Sequence, residues 1–343
     1  MEELSAGVVV SIFSVFFVII LICAFLKKLW FLFVRKKRYY IFPRPSIKGI
    51  SNISMVIALS VAVLILITMI TQNVAGILFR AFPGSRITIE GILIKIGGLL
   101  FGPFIGMIIG ILTDLLSIAL TAGIFHYGYF ISAMAYGLIS GLVKSLIANT
   151  SSKKLILAWT STAFLLVVYV VVIQFIYFVI PDANAEIYIQ LVRNVVLNRD
   201  IIFGIISFFI FISIIMIWIF YKVSNIKKMK ENKKTKFGNK FNSHYDKKES
   251  VDNSKLFSSF CPTIVCVLST ELLINVLMMP SFDADLSTLS YMDWFLIRLL
   301  IFIPMIFVNM IVIFPVYIIV SPLVKWDYRK EMYDDLKTPL KVL

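Results

Sequence analysis

The stretch RITIEGILIKIGGLLFGPFIGMIIGILTDLLSIALTAGIFHYGYFISAMAYGLISGLV occupies Arg86–Val143. It is almost continuously apolar as far as Phe125, yet Gly102-Pro103 stands in its middle. Proline has no backbone N–H to donate and fits a first helical position, so this dipeptide closes one helix and opens the next. The stretch therefore predicts two short helices folded as a tight hairpin. Gly102, Gly106 and Gly110 share one face of the second helix, and Gly137 and Gly141 repeat the spacing in the following one. Small residues four apart let helix backbones approach closely where lipid supplies no hydrophobic drive.

Outward from this block, apolar runs between polar breaks give nine candidate spans, near 7–26, 50–79, 87–101, 103–122, 128–148, 155–180, 201–222, 259–280 and 293–322. Crossing the hydrocarbon layer takes about 20 apolar residues. The chain of 343 residues is 60% hydrophobic and 15% charged, with a mean hydropathy of +0.95, a balance that excludes an ordinary soluble domain. The expected fold is an all-α, polytopic membrane helix bundle.

The formal net charge of +14 is concentrated beside spans, chiefly in Lys27–Lys48 and Lys222–Lys248. Positive-inside statistics put both stretches in the cytoplasm, where they orient the protein and meet anionic lipid heads rather than nucleic acid. Alternating sides from an outside N-terminus also puts Lys153–Lys154 and Lys325–Lys341 inside, and the acidic Asp283–Asp293 outside. Glu2 and Glu3 precede the first apolar run and its cations follow it, the reverse of a cleavable signal peptide, so this run is expected to stay as an anchor helix. The Lys-, Asn- and Ser-rich segment from about 223 to 256 reads as a flexible cytoplasmic loop. Cys23, Cys261 and Cys266 form no CxxC pair and read as small hydrophobes.

The quoted block resembles the substrate-binding subunits, or S-components, of energy-coupling-factor (ECF) vitamin transporters, of the folate type. Gly98–Leu116 matches a GxLFGPxxGxxxGxxxDLL hairpin, Phe125–Phe130 an aromatic Gly-containing loop, and Ser132–Leu142 an SAxxxGLxxGL helix. Ala58 and Ala62 resemble an AxxxA contact in the first core helix, and LLINVLMMP with WFLIRLLIFIPMIFVNMIVIFPVY resembles the fifth and sixth core helices, with Asn275 and Arg298 in characteristic places. The resemblance implies a six-helix S-component-like core plus about three additional transmembrane helices. The parse is an anchor helix and basic linker (1–49), core helices one to four (50–148), an inserted helix pair with its basic loop (149–257), core helices five and six (258–324) and a cytoplasmic tail (325–343). The inserted pair is expected to be peripheral to the ligand pocket. The resemblance further implies a bacterial cell-membrane location, a transmembrane coupling subunit contacting Ala58 and Ala62, two cytoplasmic ATPase subunits, and no cofactor. The chain itself has no GxxxxGK[ST] loop for ATP.

Ionised side chains at mid-membrane cost roughly 2.5–3.5 kcal/mol on insertion scales, so Lys95, Asp114, Glu271 and Arg298 each need a partner or a polar cavity. Lys95 and Asp114 are expected to form a structural ion pair across the hairpin. A folate needs rings, hydrogen-bonding groups and a cation for its carboxylates. His126, Tyr127, Tyr129 and Phe130, with Phe125, supply rings near the outer rim; Arg80, Arg86 and Arg298 supply charge. Glu90 is placed to accept from a pterin-like amine, Asn275 to hydrogen-bond beside Arg298, and Glu271 to orient Arg298. Pantothenate, riboflavin or a pyridoxine-like compound remain alternative ligands. An intramembrane enzyme would require paired catalytic groups, and the sequence has no HExxH, DDxxD or nucleophile-base arrangement. An autonomous secondary transporter would show two related halves with matching breaks, whereas a single Gly-Pro break is evident.

Overall fold

Each long apolar run forms a helix because backbone N–H and C=O groups in lipid have no water to bond and must pair within the segment. In the computed structural model, described over residues 6–33, 37–39, 47–81, 85–121, 125–148, 154–180, 187–188, 196–197, 199–237, 243–324 and 333–335, these helices are α1 (Ala6–Phe33), α2 (Ile47–Ala81), α3 (Ser85–Phe101), α4 (Pro103–Thr121), α5 (Tyr127–Val143), α6 (Lys154–Val179), α7 (Arg199–Phe237), α8 (Ser243–Thr270), α9 (Met279–Leu286) and α10 (Tyr291–Val324). Between α8 and α9 the chain stays helical but widens into a π-helix over Glu271–Met278, and a second π-helical stretch, Lys144–Ala148, follows α5. The protein is an all-α polytopic bundle. Among the described residues seven helical stretches are long and apolar enough to cross a membrane. The other two expected spans are α3, of 17 residues, and α2, whose described apolar run is Ile47–Val63. Large apolar side chains such as Phe178 and Ile311 are 71% and 72% exposed, a surface that suits hydrocarbon and not water.

Among the described residues, strand structure is confined to two short antiparallel pairs, β1 (Lys37–Tyr39) with β4 (Tyr333–Asp335) and β2 (Ile187–Tyr188) with β3 (Val196–Leu197). The first joins the basic linker to the C-terminal tail, with Lys37 opposite Asp335 and Arg38 opposite Asp334 in the register. Both segments are expected on the cytoplasmic side. The remainder of the tail lies outside the described residues.

The chain divides into two compact units, one made of Glu2–Gly141, Ser281–Tyr291 and Ser321–Leu343, the other of Leu142–Pro280 and Met292–Val320. In the first, α2, α3 and α4 pack on one another. Gly102 has φ 96°, a conformation open to glycine, and its N–H bonds the Gly98 carbonyl at 2.9 Å before Pro103 begins α4. The glycines of α4 and α5 mesh: a methyl on Gly106 or Gly137 would run into the other's carbonyl, and one on Gly141 into Gly102 and Pro103. The hairpin and its glycine faces thus form as the sequence predicts.

In the second unit α6, α7 and α8 pack together, and α6 also meets the π-helix that carries Glu271 and Asn275. Phe209 of α7 stands edge-on to Phe302 of α10, with ring centroids 5.7 Å apart. The inserted pair therefore contributes to this unit's core beside α8 and the π-helix. Its buried seam, Leu157, Ser161, Leu165, Val168 and Val172 on α6 with Ile202, Ile206, Ile210, Ser213 and Ile217 on α7, repeats every three to four residues, the period of a helix face that must be covered. The expected loop at 223–256 is corrected too: α7 runs on to Phe237 and α8 begins at Ser243. Lys and Glu mark this stretch as polar but are good helix formers, and its first glycine is Gly238.

Candidate ligand-binding site

Three groups of polar side chains stand out against the apolar helices, and two of them lie in the first unit. At the start of α3, Arg86 and Glu90 are one turn apart on the same side, and Arg86 Nε lies 3.3 Å from Glu90 Oε1. Arg86 Nη2 donates to Asp114 Oδ1 of α4 at 2.8 Å. The expected Lys95–Asp114 pair is thus corrected: Asp114 pairs with Arg86. Lys95 lies five positions after Glu90, which turns it by about 140° away from the carboxyl cluster on a helix of 3.6 residues per turn. Lys95 is fully buried and points its ammonium at the ring of Tyr136 on α5, 4.7 Å from the centroid. Arg86 and Glu90, put forward as separate ligand contacts, are brought to one another. The side chain of Arg80 lies outside the described residues.

The second group closes one end of α5. Tyr127 and Tyr129 donate to Asp285 Oδ2 and Asp283 Oδ1, each at 2.7 Å. His126 lies between rings, with centroids 4.7 Å from Tyr127, 5.0 Å from Tyr129 and 6.2 Å from Phe282. Gly128 is pressed against the face of Phe282, where a side chain would overlap the ring. Phe125 and Phe130 sit beside each other at 5.9 Å. The expected rim aromatics therefore gather, and they do so around an acidic segment, 283–285, that the sequence reading placed on the same side without assigning it a role. His126 lies between spans; burial pushes its pKa below the ordinary histidine value, against the opposing pull of Asp285 and Asp283. Its Nδ1 is buried without a hydrogen-bond partner.

The third group belongs to the second unit. Glu271, fully buried, accepts from Asn275 Nδ2 through Oε2 at 2.5 Å and from Asn309 Nδ2 through Oε1 at 3.1 Å. Arg298 Nη1 donates to Asn275 Oδ1 at 3.2 Å. Asn275 is thus the link between guanidinium and carboxylate, and Arg298 is half-buried where Asn275 and Glu271 are buried. Glu271 and Asn275, four residues apart, share one face of the π-helix, and such insertions recur where helices carry function. Asn309 is the participant that sequence reading missed, although an amide in the last apolar span is itself the signal. Among the described residues no three His, Cys, Asp or Glu side chains converge as a metal cage.

Fold and polar clusters together define a multi-pass membrane protein with hydrogen-bonding groups sequestered inside each unit. The chain is similar to the uncharacterized protein MG098 homolog of Mycoplasma pneumoniae, at 26% identity over 355 residues, covering 96% of this chain and 72% of that protein. That name assigns no activity. No family model matches the chain, and no solved structure matches it.

Proposed function

We propose that the protein is the substrate-specific membrane subunit of an ECF-type vitamin importer in the cell membrane, binding a water-soluble vitamin, folate first among the candidates, and working with a separate coupling subunit and ATPases. The observation that carries this reading is the Arg298–Asn275–Glu271 relay in a span that is otherwise apolar. A buried carboxylate holds an amide, the amide holds a half-buried guanidinium, and a guanidinium so fixed suits a carboxylate through two parallel hydrogen bonds. The meshed glycine hairpin supports the family resemblance, and the exposed Ala58 and Ala62 on α2 support a partner surface. Arg86 is engaged by both Glu90 and Asp114, so the carboxylate grip is assigned to Arg298.

The test is binding by purified protein. Arg298→Lys should weaken a carboxylated vitamin by roughly 1.5–3 kcal/mol, the worth of a charged hydrogen bond, with little change in thermal stability. Folate and pantothenate carry carboxylates and riboflavin does not, so a panel of the three separates the ligands. Equal binding of carboxylated and uncharged analogues by the wild type would contradict the assignment.

A further inference from the structure

The Arg86 cluster is chemically unfinished. One guanidinium faces two carboxyl groups, so with both acids ionised the count is +1 against −2 and one negative charge is left over. Glu90 is 1% exposed and Asp114 0%. Asp114 Oδ2, Arg86 Nη1 and, on α4, the buried Thr113 hydroxyl lack a hydrogen bond, and the Glu90 carboxyl is approached by Arg86 Nε at 3.3 Å. Ser117, one turn on from Thr113, faces the Glu90 carboxyl. Among the described residues, the elements packed around the cluster bring no second cation to it. Lys95 of α3 is turned to Tyr136 of α5, and the α2 residues whose side chains are described beyond Lys48 carry no charge. A buried charge without a counter-charge is unfavourable enough that the group must acquire one.

We propose that this cluster binds one monovalent cation, a proton or a sodium ion, held by Glu90 and Asp114 with Ser117 beside them. The single excess charge selects a monovalent over a divalent ion, and Arg86, fixed between the acids, keeps their oxygens in place. The burial of both acids suits a small ion rather than an organic group. The site is independent of which vitamin is carried and of what drives transport.

Thermal unfolding of the purified full-length protein, without vitamin, tests it. In wild type, replacing choline with sodium at constant ionic strength and mildly alkaline pH should raise the midpoint by roughly 3 °C or more if sodium is the occupant. If the occupant is a proton, the same rise appears in choline on mild acidification. Glu90→Gln, which keeps the shape and removes the charge, should abolish whichever response the wild type shows. Asp114→Asn should do the same and serves if Glu90→Gln fails to insert. His126 responds to acid with the opposite sign and persists in both variants, so the difference from wild type isolates the cluster. A wild type that responds to neither ion, or variants that keep the full response, would overturn the proposal.

Discussion

Replacing Arg86 with Met should be more damaging than replacing Lys95 with Met, although both remove a cation from α3 and Lys95 is the more deeply buried. The first takes from Glu90 and Asp114 the guanidinium that both of them meet, a loss of about 3–5 kcal/mol for a broken buried pair. The second removes an ammonium resting on a ring, about 0.5–2 kcal/mol. Denaturant unfolding in micelles would read the difference, and a double-mutant cycle should show coupling of Asp114 to Arg86 and none to Lys95. At this scale the sequence conveyed that Lys95, Asp114, Glu271 and Arg298 each needed a partner, because charge in an apolar run is conspicuous. It did not convey which partner, because that depends on the angle between helix faces and on the reach of Arg86 across the hairpin. The Asn275–Glu271 contact was easier to anticipate, since both residues sit four apart on one helix.

Elements were far more legible. The Gly102-Pro103 break and the glycine faces of α4 and α5 follow from local chemistry and appear as expected, whereas the helical extension of α7 and the strands at 37–39 and 333–335 were hidden because polar composition reports exposure rather than backbone conformation. The glycine seam makes a clear prediction. Gly137→Ala drives a methyl into the Gly106 carbonyl and should destabilise by about 1–3 kcal/mol, while Gly204→Ala, with nothing within 4 Å, should be neutral or gain up to about 1 kcal/mol from helix propensity. Equal effects in thermal unfolding would mean that α4 and α5 do not meet at Gly106 and Gly137. The cap of α5 carries a pH dependence. His126 titrates lower in the folded protein than the unfolded value near 6.5, so the folded state binds fewer protons. Its contribution is constant above about pH 6.5 and stability falls as the pH drops through that value. His126→Gln should remove this component of the acid loss, measured by unfolding across mildly acidic buffers.

For the whole molecule, membrane residence was the safest reading of the sequence, and it rests on apolar length alone. The division into two units was not legible. Family resemblance cast 149–257 as an insertion into a six-helix core, but α6 and α7 carry buried apolar seams of their own that match α8, and only the packing shows which helices they cover. The proposed function also requires a docking surface for partner subunits. On α2, Ala58 and Ala62 are exposed while Val56, Ile57, Ser60 and Val61 are buried, and two small residues one turn apart leave a shallow strip between the larger Met55 and Leu66. A close helix partner fits such a strip, and bulk would block it. The decisive measurement is quantitative mass spectrometry of the tagged protein purified in mild detergent from its native membrane, for wild type and for Ala58→Trp with Ala62→Trp. The wild type should bring a transmembrane coupling subunit and two ATPase subunits together with a vitamin, and the double variant should keep the vitamin and lose the subunits. A wild type that purifies without any ATPase, or a double variant that retains the full set, would contradict the account.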